Sequence, residues 1–220
     1  MPTVWLIRHS ESESNAGLVT RDAGSSGLTA RGHTQAAAIA RLFPTAPALI
    51  VTSPYIRTAL TAAPTRRRFP AVPHEEWPVQ EFTYLDAAQR RNTTLQQREP
   101  WVAAYWERCD PTYRDGLEAE SFADLFARVQ AFRARLGRLT ADPVAVFSHG
   151  HFLSAVLWNI LTEPPAPSAH AMQQSRAFMH ALALPNGGIV KLQIANGAVA
   201  WISPPAALAA GELTRWPLRG

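Results

Sequence analysis

The chain has 220 residues but only one cysteine, Cys109. An internal disulfide is therefore excluded, and such sparse cysteine usage is typical of a reducing compartment. No positively charged leader precedes the first apolar run, and that run is far shorter than a signal peptide or a membrane span. We expect a cytoplasmic protein that has no membrane partner.

Lysine is almost absent as well. Lys191 is the only lysine among 21 basic residues, and the formal net charge is +4. The one cationic run, Arg66–Arg68, is more typical of a solvated loop than of a nucleic-acid site. We therefore expect no nucleic-acid partner, while small anionic substrates suit the positive charge equally well.

Short apolar runs carry the fold prediction. They indicate strands near residues 3–8, 48–52 and 143–148, with helical patterns between and after them. Strands that alternate with helices predict an α/β fold, with three α/β/α layers around a mostly parallel central sheet. No internal repeat interrupts this pattern, and nothing in the sequence indicates an oligomeric state.

Four segments have helical patterns or helix-start signals. The first helix is predicted over Thr29–Phe43, and Ser53-Pro54 is predicted to open the second, because serine caps helices and proline tolerates their first position. Ser121–Asp124 resembles a capping box ahead of a long amphipathic helix. A further apolar helix is predicted over His151–Leu161.

The C-terminal region predicts a β-hairpin. Two apolar runs, Ile189–Ile194 and Ala198–Ile202, flank Asn196-Gly197, which supplies two positive φ angles at low cost. We expect this antiparallel hairpin at the sheet edge, and we expect the tail after Ser203 to be a surface segment.

The domain prediction is a single domain over residues 1–220. The stretch from Phe69 to about Thr94 lacks clear periodicity and is rich in proline and polar residues. We interpret residues 69–94 as an insertion that lies over the active site.

The segment Trp5–Asn15 is the most informative part of the sequence for function. An apolar run stops abruptly at Arg8-His9, which predicts a buried strand that ends in a reactive loop. A guanidinium beside an imidazole at a strand end suits an oxyanion ligand, and Asn15 adds an amide donor.

Two later segments repeat this logic. Arg57 is predicted in the first helical turn after the second strand, where the helix N-terminus already favours an anion. His149-Gly150 directly follows the third predicted strand, and the glycine permits close backbone approach. His151 competes with His149 on sequence grounds, but its predicted place is in or beside the first turn of the next helix.

Together these motifs resemble the histidine phosphatase (phosphoglycerate mutase-like) superfamily. The segments that carry the resemblance are Arg8-His9 (with Ser10 in place of the usual glycine), Leu28–Ala36, Thr52–Ala59, Glu81 and His149-Gly150. The helix Leu28–Ala36 serves as a family marker, since Gly32 and Ala36 permit close packing and need no chemistry.

The resemblance implies a phosphate monoester hydrolase that needs neither a metal nor a cofactor. It implies that His9 attacks phosphorus and forms a phosphohistidine. The groups implied around the phosphate are Arg8, Asn15, Arg57 and His149.

Glu81 matches the acidic residue that protonates the leaving group in this family. That role near neutral pH requires a raised pKa, which burial under the insertion would supply and the phosphate-site arginines would oppose. Glu75, Glu76 and Asp86 are alternative acids.

Several other functions are weighed against this one. A mutase is disfavoured because the Arg-His-Tyr-Gly segment that follows the acid in phosphoglycerate mutases is replaced here by Thr83–Asp86. A non-catalytic phosphate-binding module is disfavoured because both histidines and both arginines are present. Scattered histidines argue against a metal site, and no Gly-x-Ser-x-Gly elbow supports a serine hydrolase. Arg90, Arg91 and Arg98 are either additional anion ligands or parts of a solvated loop.

Overall fold

The computed structural model describes residues 1–19, 22–209 and 212–215. The strands are β1 (Thr3–Arg8), β2 (Leu49–Thr52), β3 (His74–Glu76), β4 (Val144–Ser148), β5 (Ile189–Ala195), β6 (Ala198–Ile202), β7 (Ala206–Ala209) and β8 (Glu212–Arg215). The helices are α1 (Ala30–Arg41), α2 (Ile56–Arg68), α3 (Ala87–Arg90), α4 (Leu95–Arg108), α5 (Phe122–Leu136), α6 (Gly150–Thr162) and α7 (Ala169–Ala181).

The strands form one sheet in the order β3-β2-β4-β1-β5-β7-β8, with β6 paired to β5 outside this path. The strands β3, β2, β4 and β1 are parallel to one another, whereas β5 runs antiparallel to β1. The three strands expected from apolar runs are confirmed as β1, β2 and β4, within one residue at each end. The α/β class with a mostly parallel sheet is confirmed.

Helices cover both faces of the sheet. Because side chains alternate along a strand, Val4 and Leu6 of β1 join one apolar cluster, whereas Trp5 and Ile7 join another. The first cluster includes residues of α5, α6 and α7, and the second includes residues of α1 and α2. The expected three-layer α/β/α arrangement is therefore confirmed.

Local capping signals fix most helix starts. Thr29 is the N-cap of α1 and accepts a bond from the Gly32 N–H. Ser121 caps α5 through the reciprocal capping box with Asp124 that the sequence indicated. All six apolar residues predicted along one face of α5 are buried: Phe122, Leu125, Phe126, Val129, Phe132 and Leu136.

The predicted start of the second helix was wrong. Helix α2 begins at Ile56 rather than at Ser53-Pro54, and its N-cap, Tyr55, makes no side-chain capping bond. The Ser53 hydroxyl lies instead 2.7 Å from Nε2 of His149. The Ser53 hydroxyl, which the sequence predicted as a helix cap, is thus used in a tertiary contact with His149.

The segment 69–94 contributes to both the sheet and the core. Its strand β3 extends the sheet beside β2, although all three β3 residues are exposed and give no apolar signal. Farther along, Val79, Phe82 and Leu85 are buried in the larger apolar cluster.

The C-terminal hairpin is confirmed, with positive φ angles at Asn196 and Gly197 between β5 and β6. The tail after Ser203 was expected to be a surface segment, and nothing in the sequence indicated strands there; in the structure β7 pairs with β5, and β8 pairs with β7. Alanine and proline have low strand propensity, so the pairing with β5 rather than local preference determines this structure.

The parallel register brings three loops together. Arg8 at the end of β1 is the register partner of Ser148 at the end of β4, and Thr52 at the end of β2 pairs with Phe147. The residues that follow these strands therefore emerge side by side at the carboxyl edge of the sheet, where α/β proteins place ligands.

Across the described residues, no helix combines the length and apolar content that crossing a membrane requires.

Replacing Gly32 with alanine should destabilise the fold by about 3 kcal/mol, because overpacking against backbone cannot relax easily. A Cβ atom at Gly32 would lie 2.0 Å from the backbone oxygen of Glu11, in the loop that follows β1. Urea unfolding would measure the change in the free energy of unfolding.

Gly27→Ala is the matched control for Gly32→Ala. A Cβ atom at Gly27 would find its nearest neighbour at 3.6 Å, an ordinary contact. The control should change the free energy of unfolding by less than about 1 kcal/mol. Equal stability of the two variants would contradict the close docking of α1 on the loop.

Candidate active site

A cavity of about 380 Å³ opens at the carboxyl edge of the sheet. This volume is in the range of small-molecule sites. The sequence-predicted residues that line it are Arg8, His9, Asn15, Arg57 and Glu81. His149 lies directly behind this lining and is fully buried, with its ring centroid 5.1 Å from that of His9.

The His9 ring is held in one tautomer. Its Nδ1 lies 2.8 Å from the carbonyl oxygen of Ser10, and since a carbonyl only accepts, Nδ1 carries the proton. The lone pair is therefore on Nε2, which accepts a bond from Nε of Arg57 at 3.2 Å. Burial, together with the charges of Arg57 and Arg8, lowers the pKa of His9 well below 6.5. His9 is thus neutral at physiological pH, with a lone pair available at Nε2.

Two guanidinium groups flank His9, one on the buried Arg57 and one on the partly buried Arg8. Arg57 is 7% exposed and donates from Nη1 to the carbonyl of Ala23 at 2.5 Å. Arg8 donates to the carbonyl of Leu184, while its Nε is buried without a hydrogen-bond partner. Backbone carbonyls orient both groups without neutralising them. The Glu81 carboxylate offsets part of their charge, and the site still presents a net positive charge to an anion.

Gly150 makes room for Arg8. A Cβ atom at Gly150 would lie 3.3 Å from Nε and 3.4 Å from Cζ of the Arg8 guanidinium. The glycine that follows His149 therefore permits the close approach that the sequence indicated, and the group that approaches is the arginine side chain.

A hydrogen bond at Nε2 holds the His149 ring in place. Its Nε2 contacts the Ser53 hydroxyl, which in turn lies 3.0 Å from Oγ1 of Thr58. Its Nδ1 is buried and has no hydrogen-bond partner. Burial, reinforced by the charge of Arg57, lowers the pKa of His149 well below 6.5. If the Ser53 hydroxyl donates to Nε2, then neutral His149 carries its proton on Nδ1 and can donate it.

Asn15 is held at the rim of the cavity. Its Oδ1 accepts a bond from Nδ2 of Asn186 at 2.8 Å, and the same Asn186 amide donates to the His9 carbonyl at 3.2 Å. With Oδ1 engaged, the Asn15 amide nitrogen is the group that can donate to a ligand.

Glu81 occupies the N-terminus of α6. Its Oε1 accepts bonds from the Phe82 and Phe152 N–H groups at 3.0 and 3.1 Å, and its Oε2 accepts from the His151 N–H at 3.3 Å. A helix N-terminus favours an anion, and at α6 the anion is the Glu81 carboxylate.

The pKa of Glu81 differs from what its predicted role requires. Burial raises it, but the charges of His151, Arg57 and Arg8 and the N–H of Phe82 outweigh burial and leave the pKa below 4.5. The charge of His151, together with those of the arginines, therefore outweighs burial, and the carboxyl group is ionised in the free protein.

The alternative acids lie elsewhere. Glu75 pairs with Arg135 and accepts a bond from the Trp77 indole, and Glu76 is exposed on β3. Asp86 caps α3. None of these three carboxylates lines the cavity, whereas Glu81 does. His151 also lines it, at the second position of α6 as expected.

Sequence reasoning missed two residues that support the site. Ser53 was interpreted as a helix cap rather than as the partner of His149. Asn186 lies in the turn before β5, and its Pro-Asn-Gly-Gly context signalled a turn but not its distant contacts with residues 9 and 15.

Within the described residues, no group of three or more histidine, cysteine or acidic side chains is arranged to hold a metal ion.

The buried histidines should make stability fall on acidification. Their pKa values lie below 6.5 in the folded state, so the unfolded chain takes up protons first and the free energy of unfolding decreases below pH 6.5. Glu81, whose pKa is also lowered in the folded state, makes the free energy of unfolding decrease further only below its ordinary pKa of 4.5. Between pH 6.5 and 4.5 the histidines therefore contribute to the pH dependence of stability and Glu81 does not.

His149→Gln should weaken this pH dependence by up to about 1.4 kcal/mol per pH unit, the value for one proton. Urea unfolding at several pH values would measure it. His33→Gln is the control, since His33 is exposed on α1. An unchanged slope in His149→Gln would contradict the neutral, buried state of His149.

Comparison with known proteins supports this architecture. A family model described as the histidine phosphatase superfamily (branch 1) matches residues 4–203. No curated protein matches the chain significantly.

Solved structures share the fold at low sequence identity. Alpha-ribazole phosphatase from Shigella flexneri is 22% identical with a TM-score of 0.69, over 90% of this chain and 93% of that one. A phosphoserine phosphatase variant from Entamoeba histolytica, in complex with phosphoserine, is 19% identical with a TM-score of 0.68, over 92% and 96%. Mycobacterial glucosyl-3-phosphoglycerate phosphatase is 22% identical with a TM-score of 0.66, over the full length of both chains.

The family model spans most of the chain, and four of the five motifs that predicted it contribute residues to the cavity, namely Arg8-His9, Arg57, Glu81 and Gly150. The chain therefore belongs to the histidine phosphatase superfamily (branch 1), and it is an enzyme of the phosphoric monoester hydrolase class.

Proposed function

We propose that this chain hydrolyses small phosphate monoesters through a phosphohistidine on His9, without a metal ion. The observation that carries the proposal is the state of His9. Its Nδ1 proton is bound to the Ser10 carbonyl, its pKa is depressed, and it lines the cavity between Arg8 and Arg57. A neutral imidazole with a lone pair on Nε2 can attack phosphorus without first losing a proton.

The phosphate would bind among groups whose positive charge Glu81 offsets only in part. Arg8 and Arg57 supply positive charge, which is the task that a metal ion performs in other phosphoryl-transfer enzymes. His149 would donate from Nδ1 and Asn15 from its side-chain amide. Binding would move the Arg57 N–H from Nε2 of His9 to a phosphate oxygen, which frees the nucleophile.

The reaction then has two displacement steps. In the first, Nε2 of His9 forms a bond to phosphorus, the ester P–O bond breaks, and the leaving oxygen takes a proton from Glu81. In the second, water gives a proton to Glu81 and attacks phosphorus, the P–N bond breaks, and inorganic phosphate leaves. His9 and Glu81 return to their starting states.

The depressed pKa of Glu81 has to change before the first step. A bound phosphate brings negative charge beside Arg8 and Arg57, whose charges help to keep Glu81 ionised. The phosphate offsets those charges and adds repulsion to the carboxylate, so substrate binding raises the pKa of Glu81. In this way the acid would become protonated only when a substrate is present.

The cavity supports a small ester as substrate. Its lining also includes the apolar side chains of Leu85, Leu95, Val102 and Met179. The structural relatives named above act on small phosphate esters such as phosphoserine and alpha-ribazole phosphate, which is consistent with a site of this size. A hydrolase is favoured over a mutase because Thr83–Asp86 stands where phosphoglycerate mutases carry Arg-His-Tyr-Gly.

His9→Ala should lower turnover of p-nitrophenyl phosphate by at least about 10³-fold, because the covalent route is lost. Release of p-nitrophenol in the presence of EDTA measures this, and wild-type turnover should persist with the chelator. His33→Ala, exposed on α1, is the control and should retain full activity. Turnover that survives in His9→Ala would eliminate His9 as the nucleophile, and loss of wild-type activity in EDTA would eliminate the metal-free mechanism.

Glu81→Gln should affect substrates according to their leaving groups. Alkyl phosphates need a proton on the leaving oxygen, so kcat/KM of Glu81→Gln for these substrates should fall by about 10²- to 10⁴-fold. p-Nitrophenyl phosphate, whose leaving group barely needs a proton, should lose less than about tenfold. Glu76→Gln, exposed on β3, is the control. Equal losses on both substrates would exclude Glu81 as the acid.

A further inference from the structure

We propose that Arg90 binds a second anionic group of the substrate, a carboxylate or a further phosphate carried by the alcohol part of the ester. The proposal rests on the phosphatase function proposed above and narrows its substrate class.

The structure distinguishes the three arginines in this part of the chain. Arg91 is exposed and does not line the cavity. Arg98 lines it, but its guanidinium is engaged, since it donates to the Thr93 hydroxyl at 2.8 Å and to the carbonyls of Thr93 and Arg90 at 2.7 and 3.1 Å. Arg98 therefore organises the turn between α3 and α4.

Arg90 differs from both. It lines the cavity that also contains Arg8, His9 and Arg57, and its Nε is buried without a hydrogen-bond partner. Among the described residues, no carboxylate lies within 4.0 Å of its guanidinium. A partly buried guanidinium with no partner is costly, and an anion that binds in the cavity would satisfy it.

The nearby carboxylates are already used to hold backbone. Asp22 accepts bonds from the Gly24 and Ser25 N–H groups. Asp86 accepts from the first N–H groups of α3. Both carboxylates contribute favourable charge at Arg90, but burial outweighs them and lowers its pKa. An incoming anion therefore does not have to displace an existing ion pair.

The backbone of Arg90 is fixed, so its side chain projects from a rigid base. The Arg90 carbonyl accepts bonds from the Thr93 hydroxyl at 2.7 Å and from the Arg98 guanidinium. Binding would thus cost little additional ordering of the chain. Because the cavity holds about 380 Å³, the phosphate and the second anion would belong to one small molecule.

The test uses pairs of esters that differ in one anionic group. Phosphoserine is compared with phosphoethanolamine, and 3-phosphoglycerate with glycerol 3-phosphate, to examine a carboxylate. Fructose 1,6-bisphosphate is compared with fructose 6-phosphate to examine a second phosphate. The readout is the ratio of kcat/KM values within each pair, for wild type, Arg90→Gln and the control Arg91→Gln.

Wild type should favour the ester with the additional anion in at least one pair, and the pair affected identifies the anion. Arg90→Gln should reduce that ratio by about tenfold or more, whereas Arg91→Gln should leave it unchanged. Arg90→Lys should recover part of the preference, because it restores the charge without the planar fork. A wild-type ratio near one in every pair, or a preference that Arg90→Gln retains, would overturn the proposal.

The same pairs separate this proposal from the phosphatase function. If wild type hydrolyses none of these esters, the ratio of dissociation constants measured by calorimetry decides the Arg90 proposal by itself. The proposed function fails only if p-nitrophenyl phosphate is also left unhydrolysed. Equal dissociation constants within every pair would overturn it, and a preference lost in Arg90→Gln would support it.

Discussion

The site depends on removing two guanidinium groups largely from water beside two imidazoles, with a charge that the Glu81 carboxylate offsets only in part. Arg8 and Arg57 are oriented by the backbone carbonyls of Leu184 and Ala23, which accept hydrogen bonds but cannot cancel a full charge. A charge removed from water in this way is expensive, and the fold bears the cost because the rest of the sheet and its helices are well packed. The result is a cavity with an excess of positive charge before any ligand arrives, which is the electrostatic arrangement that a phosphate requires.

The same charge sets the protonation states around it. Burial and the two arginines keep His9 and His149 neutral, and the arginines help to keep Glu81 ionised despite its burial. The protonation states of His9, His149 and Glu81 are therefore coupled through one electrostatic field. Because a bound phosphate would change that field, the free protein and its substrate complex need not share the same protonation state at Glu81.

Tertiary contacts complete the site from parts of the chain that lie far apart in sequence. The Glu81 carboxylate takes the N-terminal amides of α6, although the two segments are about seventy residues apart. Ser53, in the loop after β2, forms a hydrogen bond with Nε2 of His149. Asn186 joins the loop after β1 to the turn before β5. Each contact gives a single side chain one available orientation, which is what a preorganised site needs.

The sequence by itself determined the three buried strands, the amphipathic helices, the Asn-Gly hairpin and the two strand-end histidines. Those features follow from periodicity and turn chemistry, which are local. Only the tertiary structure decided that β3 and β7 join the sheet. Exposed or alanine-rich residues have no local strand signal, and they pair because a partner edge is available. It also decided that Ser53 serves His149 rather than α2, and that Glu81 has a lowered rather than a raised pKa. The role of Ser53 and the pKa of Glu81 both depend on side chains from distant segments of the chain, and a local sequence pattern contains no information about such neighbours.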